Sequence, residues 1–501
     1  MISGRNILLF FTFTFLMFSI AGYTQNPALD AEEKVEEVLE QPTEKEESTV
    51  AEPTTEKAET PTNIVPTEKE DKPQTTAESS TIEEIKEVLT SPYDSLRVYS
   101  WTVNQMGERT FIPFDTVATN YGQSLLTDSR SAAMAYLGNL GSPALNMVFF
   151  ERPERSDFIF ADAYHYYHRQ PNEFHFLNAK LPYANITYNN GGKKGDNAEQ
   201  FNGAMAINFG KKFNVGFDFD YLYGRGQYAS QSAKDINTII HANYISDKYE
   251  LNALFYNTNF LNYENGGLSD DRYITDPDIV NEGVQNKYSS KNFPVRFTDT
   301  WNHVKGQQYY FTHRYNLGYY STVGKNEKGE KIERFTPVAS IFHTFNFKSN
   351  NRRFVSNNAG LDTIYTPVHY LPLQDSTHLV DDRTSYWSLS NTAGISLREG
   401  FKKWVKFGLS AYVNIDYRSF TLPGNNSILF PTHEKYNEFA TKVGGELAKR
   451  EGALFTYRAN AEIGLKDIDA GEMRLDGEVR TLFPLFGKEF SVKGNSISPP
   501  A

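Results

Sequence analysis

The sequence predicts an all-β protein, a transmembrane antiparallel β-barrel, on three observations. Long segments alternate apolar and polar residues at period two, which is typical of β-strands with two different faces. The polar face of these segments carries charges of both signs, as the wall of a water-filled lumen does. After residue 21, no apolar run approaches the ~20 residues that a membrane-spanning helix needs. A membrane protein made from this chain must therefore span with strands.

Residues 1–21 have the pattern of a secretory signal peptide. Arg5 supplies the positive n-region, Ile7–Ile20 form the apolar h-region, and Ser19–Ala21 offer the small residues that signal peptidase selects. The alternative is an N-terminal anchor helix, but the apolar run is shorter than the ~20 residues needed to span a bilayer. We therefore expect export across the inner membrane.

Residues 22–90 form an acidic, low-complexity segment that we expect to be disordered in the periplasm. Between Asn26 and Thr90 the chain holds 19 acidic residues, 6 basic residues, six prolines and no aromatic residue. Such a segment cannot bury enough apolar area to offset its ordering entropy. Two stretches with helical periodicity, Glu32–Glu40 and Thr81–Leu89, could dock on a periplasmic protein partner. The alternative is a solvated spacer.

The rest of the chain is neutral and contains no cysteine. From residue 91 onward there are 43 acidic and 43 basic residues, so the net charge of −12 arises from the acidic segment. No basic face for nucleic acid is predicted. The absence of cysteine excludes a disulfide scaffold, cysteine-ligated zinc and iron–sulfur clusters. We expect no cofactor.

The barrel is predicted to occupy residues 156–501. The alternation is strictest at 404–418, where Val405, Leu409 and Val413 point one way and Ser410 and Asp416 the other. The predicted strands are longer than the ~5–6 residues of a globular strand and suit the ~9–11 of a spanning strand, which favours a barrel over a soluble sandwich. They cover 156–163, 174–180, 183–191, 198–209, 213–223, 236–246, 249–260, 307–320, 334–348, 385–397, 404–418, 438–448, 453–466, 472–482 and 488–495.

The connections between these strands alternate in length, as expected when one side of a barrel has short turns and the other long loops. The exceptions are 321–333, too long for its side, and 467–471, too short. Fifteen is an odd number of strands, whereas bacterial single-chain barrels usually have an even number. Either the strands are miscounted or the sequence is incomplete at its C-terminal end; we expect 14–18 strands and favour the second explanation.

Residues 91–155 precede the predicted strands. Gly138 and Gly141 indicate tight turns, and Glu151–Arg155 is a dense charge cluster. The segment either enters the lumen as a plug or covers the base of the barrel as a short periplasmic cap.

Charged residues on the polar face of the predicted strands are the candidate lumen residues. They either set ion selectivity as rings of side-chain charge or form internal salt bridges that fill the barrel. The candidates are Asp218, Asp220, Glu250, Asp416, Arg458, Glu462, Arg474, Asp476, Glu478 and Arg480, with Lys466 beside them.

Two further clusters favour plainer interpretations. The longest loop contains four aspartates that could hold calcium, but turn formation explains them equally well: Asp270, Asp271, Asp276 and Asp278. The histidines are expected to be loop or interface residues rather than metal ligands, and no nucleophile motif accompanies them, so no enzyme is expected. They are His165, His168, His175, His241, His313 and His343.

Five blocks of the chain resemble a family of outer-membrane β-barrel porins of Gram-negative bacteria: Tyr136–Pro143, Phe149–Arg155, Asp218–Gly226, Asn265–Thr275 and Thr312–Gly318. The resemblance covers most of residues 92–490. It implies an outer-membrane barrel with an N-terminal periplasmic or plug-like segment, and it implies passage of solutes. It supplies no catalytic residues.

The expected function is passive diffusion of small hydrophilic solutes through a barrel embedded in outer-membrane lipid. The alternative is an accessory barrel of a secretion or assembly machine, to which the acidic segment recruits periplasmic partners. Conductance in a planar bilayer distinguishes the two.

Overall fold

The structure is a computed structural model that describes residues 98–112, 133–153, 155–192, 197–276, 290–325, 331–358, 380–402, 404–424, 433–450, 455–485 and 488–498. All of them belong to the compact unit Thr75–Ala501. The predicted signal peptide and acidic segment lie outside the described residues.

Five short strands precede the large sheet. β1 pairs antiparallel with β2 and β5, and β3 pairs with β4. Their bounds are β1 (Val98–Val103), β2 (Arg109–Ile112), β3 (Met134–Tyr136), β4 (Ala144–Asn146) and β5 (Phe176–Ala179).

Thirteen long strands form one sheet in chain order, with β6 and β18 at its two edges. Every neighbouring pair is antiparallel, which confirms the predicted all-β fold; the number of described strands is below the expected 14–18. The strands are β6 (Tyr183–Gly191), β7 (Ala198–Phe209), β8 (Phe213–Gly224), β9 (Ala233–Ile245), β10 (Tyr249–Tyr263), β11 (Thr300–Lys325), β12 (Lys331–Ser356), β13 (Val380–Leu397), β14 (Gly408–Pro423), β15 (His433–Lys449), β16 (Phe455–Asp467), β17 (Met473–Leu485) and β18 (Lys488–Ser498).

Helical structure is limited to short segments in the described part of the chain. They are one α-helical turn, Arg272–Thr275, and the 3-10 segments Phe149–Glu151, Ile159–Tyr167 and Ser290–Asn292. None of the described helices has the length and apolar character needed to cross a membrane.

The first two predicted strands do not belong to the large sheet. Residues 156–163 enter a 3-10 helix, and residues 176–179 pair with β1. The reason is that Phe158, Tyr164 and Phe176 are buried against the sheet and therefore serve as packing residues rather than as one face of a spanning strand.

The connection 321–333, which disturbed the predicted alternation, is mostly strand. β11 and β12 continue to Lys325 and Lys331. They pair with each other beyond the points where their outer neighbours end, at Tyr249 on β10 and Leu397 on β13. The hairpin therefore projects from the short-turn side of the sheet, and the alternation of short and long connections is restored there.

The burial pattern of the large sheet is inverted relative to a water-soluble protein. On β14, Leu409 is 52% exposed, whereas Ser410 beside it is 4% exposed. Paired residues share a face, so the side that carries Ser410 also carries Glu446, Asn460 and Asp476. We call this polar side the inner face and the apolar side the outer face. Such an inversion is what a barrel surrounded by lipid requires.

Aromatic side chains form a continuous band across the outer face of β10–β14. The centroids of neighbouring rings lie 4.9 to 6.2 Å apart in the order Phe255, Tyr309, Phe347, Trp387 and Tyr417. Such bands mark the membrane–water interface of outer-membrane barrels.

The apolar part of the outer face has the height of a membrane. From Phe407 to Tyr417 the outer side chains are apolar without interruption. Ten residue steps at ~3.3 Å, along a strand tilted by about 40°, cover roughly 25 Å, the height of the apolar band of known barrels. Beyond the aromatic band, the outer face turns polar at Asn257 and Gln307.

The large sheet curls around the N-terminal strands. At one side Asn208 of β7 donates to Asn178 of β5, and at the other Arg450, just after β15, pairs with Glu108 of the β1–β2 hairpin. In a flat sheet β7 and β15 would lie eight strand spacings, roughly 38 Å, apart, whereas a three-stranded sheet is only about 10 Å wide. Both contacts form because the large sheet wraps the small one.

Candidate pore and plug

Residues 98–112, 133–153 and 155–179, which we call the plug, lie against the inner face. Their apolar part packs on a limited area of the large sheet β6–β18, which we call the wall. Trp101 stacks on Phe176 at 6.2 Å, and its Nε1 donates to Asn252 of β10 at 3.1 Å. The buried cluster consists of Trp101, Val103, Phe174 and Phe176 from the plug with Ile239, Leu254, Tyr256 and Tyr310 from the wall.

Elsewhere the wall presents small polar side chains that bond to one another. Thr312 and Thr344 lie 2.8 Å apart through their hydroxyl oxygens, and Ser410 donates to Ser396 at 2.9 Å. The buried polar set on β11–β14 includes Thr312, Asn316, Ser340, Thr344, Ser388, Thr392, Ser396 and Ser410. These groups satisfy each other across strands, so the wall needs no plug contact to remain paired.

All ten candidate lumen charges lie on the inner face. Asp218 and Asp220 lie on β8, Glu250 on β10 and Asp416 on β14. The other six lie on β16 and β17, where cross-strand pairs bring opposite charges together: Arg458 with Glu478 and Glu462 with Arg474. Lys466, named beside them, does not lie on this face, because a register shift pairs it with Thr441, which lies opposite Ile415 on the outer face.

A network of ion pairs joins the plug hairpin to the short-turn end of the wall. Arg109 Nε lies 2.8 Å from Glu250 Oε2, and Arg314 Nη1 lies 3.0 Å from Glu108 Oε1. Arg450 bridges Glu108 of the plug and Glu446 of β15. We call these six residues the latch: Glu108, Arg109, Glu250, Arg314, Glu446 and Arg450.

The latch depends on an ionised Glu108. Burial would raise the pKa of its carboxyl, but Arg314, Arg450 and Arg398 together lower that pKa below the usual 4.5. The carboxylate is therefore charged near neutral pH, and removing its charge would leave Arg314, which is 1% exposed, without its counter-ion.

A second polar contact holds the plug near the long-loop end. The Tyr386 hydroxyl donates to Asp157 Oδ2 at 2.8 Å, and Arg418 Nε lies 3.6 Å from the same oxygen. Arg418 also pairs with Asp416 at 2.7 Å and with Asp469 at 3.2 Å. One predicted lumen charge, Asp416, therefore belongs to a salt-bridged group at the plug surface.

Several residues that carry the site were missed from the sequence. Arg314, Glu446 and Arg418 lie within predicted strands and follow the same inward parity as the chosen candidates. The signal was present in the alternation, but their partners are far away in sequence, with Arg314 meeting Glu108 only in the folded protein.

Of the other predicted clusters, the aspartates separate, whereas two of the histidines meet, with His313 Nε2 3.2 Å from His343 Nδ1. Asp270 pairs with Arg272 at 2.5 Å and Asp271 precedes the short helix, whereas Asp278 lies outside the described residues. In the plug, His168 Nε2 lies 2.9 Å from Gln170 Nε2, and His168 Nδ1 lies 3.2 Å from the Tyr164 carbonyl oxygen. Among the described residues, no three His, Asp or Glu side chains are arranged to hold a metal ion.

An antiparallel sheet with an apolar outer face, a polar inner face and an internal plug defines an outer-membrane barrel channel. The chain belongs to the family described as "Putative porin", whose model matches residues 97–499. This match confirms the family resemblance. A search of curated proteins found no match.

Solved structures of outer-membrane barrels are similar to the chain at low identity. The ferric-catecholate import receptor Fiu from E. coli K12, in its open form, has 9% identity and a TM-score of 0.35, and the match covers 66% of this chain and 54% of that one. The ferric citrate transporter FecA has 10% identity and a TM-score of 0.31, with 60% and 48% covered. The toluene transporter TodX of Pseudomonas putida has 9% identity and a TM-score of 0.25, with 60% and 78% covered. The chain thus spans about half the length of the two import receptors.

Proposed function

We propose that this protein is a plugged channel through which small hydrophilic solutes diffuse across the outer membrane of a Gram-negative bacterium. The wall is polar on its inner face, and its strands pair with each other without help from the plug. The plug occupies the inner face in the conformation described, and solutes pass when it shifts. The proposal includes no catalytic step.

The observation that carries the proposal is the latch. Between Glu108, Arg109 and the wall, the plug hairpin is held by charged groups that water can replace. Such pairs exchange more readily than a buried apolar contact of the same area, because each ion regains hydration on release. The tip of the hairpin, at Glu108 and Arg109, can therefore leave the wall without disturbing the strand ladder.

A cross-link between plug and wall tests the proposal directly. Glu108 Oε1 lies 3.4 Å from the Ser396 hydroxyl, and the native chain has no cysteine. The double variant Glu108→Cys, Ser396→Cys is reconstituted in a planar bilayer and treated with a short thiol cross-linker. We expect conductance before treatment, its loss on cross-linking, and its return when a cleavable linker is reduced.

The single variants Glu108→Cys and Ser396→Cys serve as controls, since neither can form the bridge. Both should conduct and should ignore the cross-linker. A cross-linked double variant that conducts as well as the untreated one would show that solutes do not need plug movement.

The second candidate is an accessory barrel of a secretion or assembly machine. The observation that favours it is the packed inner face, because a plug that never moves makes a closed barrel. In that case no variant would conduct in the planar bilayer, and a periplasmic partner would bind residues 26–90. The same conductance experiment, together with capture on that acidic segment, separates the two candidates.

A further inference from the structure

Four polar side chains form a chain of close contacts on the outer face. The Tyr249 hydroxyl lies 3.5 Å from His313 Nδ1, and His313 Nε2 lies 3.2 Å from His343 Nδ1. His343 Nε2 in turn lies 3.2 Å from Asn391 Oδ1. The chain runs sideways across β10, β11, β12 and β13.

These side chains lie deep in the apolar belt. His313 and His343 pair with each other across β11 and β12, and the next outer positions below them are Tyr315 and Ile341. The aromatic band at Tyr309 and Phe347 lies four residues above. Asn391 lies opposite Ile415 of β14, inside the uninterrupted apolar stretch of that strand. At this depth the lipid consists of hydrocarbon chains that neither donate nor accept hydrogen bonds.

One proton arrangement satisfies the whole chain with both imidazoles neutral. Tyr249 donates to His313 Nδ1, His313 donates through Nε2 to His343, and His343 donates through Nε2 to Asn391 Oδ1. Asn391 is therefore the end of the chain. Its Nδ2 donors have no acceptor among the residues that the structure describes, and its Oδ1 retains one free lone pair.

We propose that Asn391 lies at the contact between two copies of this chain in the membrane. A primary amide both donates and accepts, so two Asn391 side chains pair with each other and satisfy what each lacks. Copies with the same orientation in a membrane are related by an axis along its normal, so each residue meets its own copy at the same depth only on a two-fold axis. The partner is therefore a second copy, arranged as a two-fold dimer.

The surroundings of Asn391 suit such a contact. Ile341 is 54% exposed and Ile395 is 64% exposed, and Ala393, which lies between Asn391 and Ile395 on β13, is small enough to allow close approach. Polar groups flanked by small residues are what holds membrane-embedded segments together, because lipid offers apolar side chains no net preference for protein. This inference does not depend on whether the lumen conducts.

The test uses the full-length protein in liposomes at low protein density. Asn391→Leu removes the amide and leaves an outer face that lipid accepts, so the barrel should fold. We expect the fraction of dimers, counted by single-molecule photobleaching, to fall in line with a dissociation constant raised about tenfold, the loss of two membrane hydrogen bonds. Asn257→Leu, the same change on the outer face above the aromatic band, should leave the dimer fraction unchanged.

A cysteine variant locates the axis. Asn391→Cys should form a disulfide-linked dimer under mild oxidation, whereas Asn257→Cys should dimerise without forming a disulfide. A wild-type protein that is monomeric or trimeric in liposomes, or an Asn391→Leu variant that dimerises as well as the wild type, would overturn the proposal.

Discussion

At the scale of the residue, Glu108 makes attachment of the plug sensitive to acid. The pKa of Glu108 is lowered in the folded protein, so the ionised carboxylate fully stabilises the latch at pH values above 4.5, the usual pKa of this group. This stabilisation is lost as the pH falls through the lowered pKa. We expect open-channel conductance to rise below pH 4.5 in the wild type, and Glu108→Gln to be open already at neutral pH with little further rise.

His168 provides the contrast for this experiment. Burial lowers its pKa to about 4 from 6.5, so its stabilisation of the plug is lost across that window as pH falls. His168→Asn should remove the change in conductance between pH 6.5 and pH 4. The rise in conductance that is due to Glu108 should remain. If Glu108→Gln retained the full acid response, the latch would not be its source.

The alternation of side chains was enough to place single residues on the correct face. Odd or even position along the strand is sufficient to place Asp218, Glu462 and Asp476 on the inner face, because neighbouring side chains on a strand point in opposite directions. Parity cannot say which inward charge meets the plug. Arg314 and Arg418 acquire their roles from Glu108 and Asp157, whose positions depend on how the N-terminal segment folds back into the sheet.

At the scale of the element, β14 supports a depth-dependent prediction. The strand begins at Gly408, later than the 404 expected, so Val413 lies near the middle of its apolar stretch and Leu409 lies near one end. Val413→Arg should cost about 2–4 kcal/mol of folding free energy, and Leu409→Arg about 0–1, because the penalty for a lipid-facing cation falls toward the interface. Urea titration of folding into liposomes measures both. Equal penalties would contradict the assigned depth.

Two elements could not be predicted because local sequence does not encode their context. Residues 156–180 contain strand-forming aromatics, yet tertiary packing on Phe260 and Tyr386 turns them into plug. In β11 and β12 the alternation is shifted at Leu317 and at Thr322, where the register changes. A bulge moves the following side chains to the other face, so a period-two pattern ends there although the strand continues.

At the scale of the whole molecule, the strongest prediction concerns the acidic segment. Residues 26–90 carry no aromatic side chain, and in the described part of the chain β1 already packs on the wall through Trp101. Deleting residues 26–90 should therefore leave insertion and heat-resistant folding of the barrel unchanged. Gel mobility of unheated samples reports this. Loss of insertion would mean that the segment is an assembly signal and not a spacer.

The inverted burial of the large sheet also determines how such a chain can travel. Its lipid-compatible surface exists only after strands pair, because along the unpaired chain each apolar side chain is followed by a polar one. The mean hydropathy of −0.54 is that of a water-soluble protein, and no stretch after residue 21 is long and apolar enough to remain in a bilayer as a helix. The same property leaves every unpaired strand edge able to aggregate in transit. Delivery to the correct membrane therefore depends on delaying strand pairing.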